Sequence, residues 1–186
     1  ALAALPGAHW SALSPAAALR HWQLLRVEPG RGLTRSPLHI DERVLNYLAG
    51  VHHLDERLAG LVRRLPAVDG LVPSHEKLAR ELAATWGRAA GRDRLPVLQL
   101  CGAEIEGKRA VAAAACATLG LDLYLMPLAA LPAGPNEADR LLRLWGRESA
   151  LSKSALLIDC DAADGPDPLR ESALARLVEA DSGPLF

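Results

Sequence analysis

Val97-Leu98-Gln99-Leu100-Cys101-Gly102-Ala103-Glu104-Ile105-Glu106-Gly107-Lys108-Arg109 is the stretch that decides the fold. Its first five residues predict a buried strand, the two glycines bound a loop, and a helix follows from Lys108. Gly102 and Gly107 stand five apart with Lys108 directly after, which is the pattern G-x-x-x-x-G-K. In that pattern backbone N–H groups and a helix N-terminus cradle phosphates, and the lysine reaches their charge. The candidate binding residues are therefore Gly102, Ala103, Glu104, Ile105, Glu106, Gly107, Lys108 and Arg109. Arg109 breaks the pattern. Magnesium requires a Ser or Thr hydroxyl there, whereas a guanidinium carries only donors and ligates no cation. Glu104 and Glu106 also put negative charge into a loop built for anions.

A second signal lies downstream. Ser154-Ala155-Leu156-Leu157-Ile158-Asp159 is an unbroken apolar run ending in an acid. Strands of this kind present a carboxylate to a magnesium shell, so Asp159 joins the candidate site. The next position, where hydrolytic oligomeric ATPases carry a glutamate that polarises water, is Cys160. A thiol of ordinary pKa ~8.5 is a poor base for that task. Asp161 is the nearest replacement, yet in an extended chain its side chain should face away from that position. No catalytic residue and no metal ligand set is assigned, and His52-His53 with Asp55 does not form a metal cluster, since adjacent residues do not face each other.

Around this core, Leu121–Met126 reads as a strand, Lys108–Leu119 as an alanine-rich helix, and helices are predicted over 136–149 and 169–180. Apolar strands alternating with helices argue for an α/β domain with a parallel sheet covered on both faces. Upstream, Ser74 is expected to cap an amphipathic helix over 74–90 with Leu78, Leu82 and Trp86 on one face. Short helices are predicted over Pro15–Val27, Asp41–Ala49 and Asp55–Arg64, with Leu33–Arg35 as a minor strand in an alternative winged-helix-like reading. The resulting division is a helical module over 1–72, a connecting helix and linker over 73–96, and a partial phosphate-loop domain over 97–186.

With 186 residues, half of them hydrophobic, the chain is long enough to bury a substantial core. Residues 1–96 carry 13 Lys/Arg against 9 Asp/Glu, a charge of +4, and residues 97–186 carry 8 against 13, a charge of −5. Neither excess is a dense run, so a nucleic-acid groove is not expected. Cys101, Cys116 and Cys160 occur at no metal spacing and read as reduced, with Cys101 and Cys160 in core strands, hence a cytoplasmic chain. No apolar run approaches the ~20 residues of a membrane span.

The stretch Gly30-Arg31-Gly32-Leu33-Thr34-Arg35-Ser36-Pro37-Leu38-His39-Ile40-Asp41-Glu42-Arg43-Val44-Leu45-Asn46-Tyr47-Leu48-Ala49-Gly50 resembles the N-terminal region of bacterial AAA+ ATPases associated with contractile injection systems. In that family the first of two ATPase modules has an eroded phosphate loop and the second carries the intact machinery. The resemblance implies ATP or ADP as cofactor, self-association into a ring, and a protein client from a contractile particle. It places Gly102, Gly107 and Lys108 in the phosphate loop and Asp159 at the acidic strand end, while Arg109 and Cys160 count against magnesium binding and hydrolysis. It also implies a sheet order 5-1-4-3-2, with a fourth strand opening at Pro184-Leu185-Phe186 between the first and third. Two other readings stand beside it: an active ATPase in which Asp161 replaces the glutamate, and a DNA-binding winged-helix module fused to a nucleoside triphosphatase.

Overall fold

The computed structural model of the chain describes residues 9–28, 35–68, 70–161, 167–180 and 183–186. It is a mixed α/β protein whose described residues form two compact units, Ala1–Asp55 and Glu56–Phe186. The division falls earlier in the chain than the sequence boundary at residue 72, because the segment after Asp55 contributes a strand to the sheet of the second unit.

In the first unit a single 3-10 turn, Trp10–Leu13, is followed by α1 (Ala18–His21) and β1 (Leu25–Val27). The helix expected through Val27 therefore ends six residues early. Gln23 takes a positive φ of 52°, which turns the chain out of the helix. β1 then pairs antiparallel with β2 (Leu38–Ile40), Arg26 opposite His39. Leu33 and Thr34 of the alternative minor strand lie outside the described residues. Asp41 caps α2 (Glu42–Leu48) by accepting the Arg43 N–H at 3.2 Å, and Gly50 leaves the helix end with φ 80°.

The second unit is built on a sheet. β3 (Arg63–Leu65) runs antiparallel to β4 (Asp122–Pro127), which runs parallel to β5 (Ser154–Asp159). The predicted third helix over 55–64 is replaced by turns and β3, with Arg64 opposite Tyr124 and its guanidinium on Asp122 at 2.5 Å. Beyond β5, the Leu156 and Ile158 N–H groups donate to Pro184 and Phe186, and the Phe186 N–H donates to Leu156. Leu185 in turn accepts the Leu98 N–H at 3.0 Å. Residues 184–186 thus lie between β5 and the Val97–Leu100 segment. Val97–Cys101 does not form the ladder expected of it, since Leu98 makes a single bond to a three-residue neighbour.

Helices cover both faces. α3 (Pro73–Ala89) and α4 (Ile105–Thr118) pack on one, where Trp86, Val111, Ala112 and Cys116 meet Leu123, Leu125, Ala155 and Leu157. α3 starts one residue before the expected cap: Val72 is the N-cap, Pro73 occupies the first turn, and Ser74 lies inside the helix. α5 (Pro135–Ser152) lies on the other face, its Trp145 edge-on to Tyr124, and α6 (Pro168–Ala180) packs beside it. All six residues of β5 are buried, as a strand covered on both sides must be. The linker 91–96 is anchored twice: Trp86 Nε1 donates to the Pro96 carbonyl at 2.8 Å and Arg94 to the Val178 carbonyl at 2.7 Å. Arg94 therefore reaches the C-terminal turn of α6. Among the described residues no helix is long and apolar enough to cross a membrane.

Candidate functional site

The C-terminal ends of β5 and of the 97–100 segment, with the start of α4, enclose a cleft of about 350 Å³. Its walls are mostly apolar, among them Leu157, Leu174 and Leu185, and its polar end holds Lys108, Arg109, Asp159, Cys160 and Asp161. Ligands of open parallel sheets bind at such strand ends. Of the sequence-named residues, Ile105, Lys108, Arg109 and Asp159 line this cleft, whereas Gly102, Ala103, Glu104, Glu106 and Gly107 do not.

Their local structure differs from the expected loop. α4 begins at Ile105, three residues before Lys108, so only Gly102, Ala103 and Glu104 remain as loop and Gly107 lies in the first helical turn. Acid in that turn, Glu106, suits the positive end of the helix, and Arg109 pairs with it at 2.5 Å one turn on. Gly102 adopts φ 151°, which a side chain disfavours, and bends the chain from the 97–100 segment into the helix. At Gly107 a Cβ would stand 3.1 Å from the His75 ring and 3.3 Å from Glu104 Oε2. The imidazole and the Glu104 carboxylate therefore fill the space beside Gly107, which a side chain at that position would need.

The charged groups satisfy one another. Arg109 bonds Asp159 Oδ2, and the Asp161 N–H donates to Asp159 Oδ1 at 3.1 Å. Lys108 Nζ meets both oxygens of Asp161, at 2.7 and 2.5 Å. Asp161 thus meets α4 on the same side as Asp159, as residues two apart in an extended chain do, with its N–H holding Asp159. Burial pushes the Asp159 carboxyl up, but the Arg109 hydrogen bond, the Asp161 N–H and the charges of Arg109 and Lys108 outweigh it and hold the group below the usual carboxylate range. The Arg109 guanidinium is correspondingly raised, chiefly by its hydrogen bond to Asp159.

The cysteines are redistributed. Cys101 and Cys160 are exposed and Cys116, on α4, is the buried one, its thiol pushed up to about 12 by burial. Although exposed in part, the Cys160 thiol is raised by partial desolvation and by the neighbouring Asp159 and Asp161 charges, which keeps it protonated and removes it further from service as a base. Magnesium nucleotide does not fit this arrangement. The hydroxyl position is a cation, each oxygen of the strand-end carboxylate already accepts a hydrogen bond, the lysine is engaged, and a second acid, Asp161, lines the same cleft. Sequence reasoning named every one of these groups but missed the Arg109–Asp159 pairing. The signal for it was a cation at one metal-ligand position facing an acid at the other.

The class defined by this geometry is a mixed α/β protein with a parallel strand pair and a self-neutralised strand-to-helix site. No protein-family model, curated protein or solved structure matches the chain.

Proposed function

We propose that the chain is the N-terminal part and degenerate first ATPase module of an oligomeric AAA+ remodelling ATPase, acting as a scaffold and interaction part without hydrolysis of its own. The observation that carries this reading is the internal pairing of Arg109 with Asp159 and of Lys108 with Asp161, which consumes the groups a phosphate loop would offer to nucleotide and metal. The strand order, with 184–186 between the 97–100 segment and β5, supports a phosphate-loop sheet of the order the resemblance implies. A domain that keeps its strands and helices while its charged site is closed contributes packing to a ring rather than chemistry. The client, by the same resemblance, belongs to a contractile particle.

Light scattering of the complete protein, with and without ATP, tests the scaffold role against a version lacking residues 56–186. The deletion starts at residue 56 because β3 and α3 belong to the sheet unit. Loss of the oligomer is the expected result, and an unchanged oligomer defeats the reading. The rival with Asp161 as catalytic base draws on the side chain's contact with Lys108 on α4. Phosphate release by the chain above that of a Lys108→Ala control favours that rival. For the first unit, fluorescence anisotropy with random duplex at low and high salt separates a DNA-binding winged-helix role, with a steep salt slope, from a protein-binding one.

A further inference from the structure

In a working phosphate loop, a divalent ion ties the helix hydroxyl to the carboxylate at the strand end. Arg109 ties the same two elements here. Its guanidinium reaches Asp159 at the tip of β5 and Glu106 in the first turn of α4, and the remaining Asp159 oxygen is held by the Asp161 N–H. The Arg109 and Asp159 side chains are largely buried, so water screens the contact poorly. A guanidinium is a permanent cation with donors fixed in a plane, and a second cation brought beside it meets repulsion and an Asp159 carboxylate already hydrogen-bonded on both oxygens.

We propose that Arg109 is a built-in replacement for the divalent ion, a positioning residue that clasps α4 to the end of β5 and makes this end of the sheet indifferent to metal. The inference rests on reading Gly102–Arg109 as a phosphate loop, but it concerns the clasp and not the ring. Its physical content is an exchange. A ligand that comes and goes is replaced by a side chain that cannot leave, so the arrangement of α4 against β5 no longer reports whether a metal is present.

The exchange predicts that removing the guanidinium returns cation sensitivity. The probe is Mn²⁺, followed as loss of the free-ion signal by electron paramagnetic resonance, with the full chain as wild type, Arg109→Thr, Arg109→Lys and the double variant Arg109→Thr/Asp159→Asn. Wild type and Arg109→Lys, which keeps a cation at the position, are expected to leave the signal unchanged. Arg109→Thr, which supplies a hydroxyl and frees Asp159, is expected to deplete it, and the added Asp159→Asn is expected to abolish that depletion. Mg²⁺ is expected to raise the melting temperature of Arg109→Thr and not that of wild type. A purely structural salt bridge predicts a lowered melting temperature in Arg109→Thr without any Mn²⁺ uptake, and that result overturns the proposal. Equal uptake by wild type, or uptake that survives Asp159→Asn, overturns it as well. Arg109→Gln carries the same test if the threonine variant does not fold. The oligomer measurement is independent: a Mn²⁺-blind Arg109→Thr leaves the scaffold standing, and an unchanged ring leaves the clasp standing.

Discussion

Two arginine–aspartate pairs bind elements of the same sheet unit, and water separates their roles. Arg64 on β3 meets Asp122 on β4 with side chains 64% and 42% exposed. Arg109 on α4 meets Asp159 on β5 with side chains 23% and 7% exposed. The exposed pair competes with solvent and is worth between nothing and about 1 kcal/mol. In the enclosed pair, loss of one partner strands the other charge where water reaches it poorly, at a cost of about 3–5 kcal/mol when burial is complete. The same chemistry therefore helps set a strand register at the edge and fixes the geometry of the site at the strand ends.

The largest effect should come from cutting the enclosed pair on its arginine side. Arg109→Ala leaves the Asp159 carboxylate without its strongest partner, and a loss of about 3 kcal/mol is expected in denaturant unfolding with little change in slope. A loss under about 1 kcal/mol would place this pair in the same class as Arg64–Asp122 and remove the distinction.

Removing the charge from the other side is gentler and adds a pH signature. Asp159→Asn keeps the shape and leaves Arg109 on Glu106, so about 1–2 kcal/mol is expected at neutral pH. The folded-state pKa of Asp159 is depressed below the unfolded value of ~3.9, so its contribution is fully present above that value and is lost as pH falls through the folded pKa. The stability gap between wild type and Asp159→Asn should therefore close below about pH 4. A gap that widens in acid would mean that Asp159 is not held low by its cations.

How much of this was legible depends on the range of the deciding interactions. β5 could be read because six residues in a row are apolar or end-capping, and α3 and α5 because helical spacing runs over 17 and 18 residues, although the face α3 buries is Ala79, Ala83, Trp86 and Ala89 while Leu78 of the expected stripe is exposed. β3 could not be read. Arg63-Arg64-Leu65 has no local strand pattern, and its conformation is set by pairing with Leu123–Leu125, far along the chain. Leu25–Val27 failed for the opposite reason, since its apolar residues also continued the helical spacing of Leu19 and Trp22 until Gln23 turned the chain. At the site the identities of Lys108, Arg109 and Asp159 were legible from motif positions. The pairing of Asp161 with Lys108 was not, because alternation gives only the face that Asp161 shares with Asp159 and not its partner on α4. Cysteine burial was misassigned because Cys116 lies on the alanine-rich face of α4 that small residues bring against the sheet.

An intermediate case sharpens the comparison. Lys108 and Asp161 are 15% and 37% exposed, so Asp161 keeps more access to water than Lys108. Asp161→Ala is expected to cost about 1 kcal/mol, between the two arginine pairs. It also removes the carboxylate that occupies Lys108, although the Asp161 N–H still bonds Asp159 through the backbone. Binding of inorganic phosphate, read by calorimetry, should therefore strengthen in Asp161→Ala relative to wild type. Equal phosphate affinity would show that Lys108 is not the group Asp161 restrains.

The smallest effect belongs to the exposed edge. The Arg64 guanidinium is raised, first by its hydrogen bond to Asp122 and then by that carboxylate's charge, yet both side chains lie largely in solvent. A double-mutant cycle of Arg64→Ala and Asp122→Asn is expected to give a coupling below about 1 kcal/mol, falling toward zero in 1 M NaCl where the Debye length is about 3 Å. The equivalent cycle of Arg109→Ala and Asp159→Asn should keep most of its coupling at the same salt, because ions cannot approach an enclosed pair closely enough to screen it. If both couplings fall alike, exposure is not what distinguishes the two pairs, and the clasp at the strand ends would be a surface contact like the one at the edge.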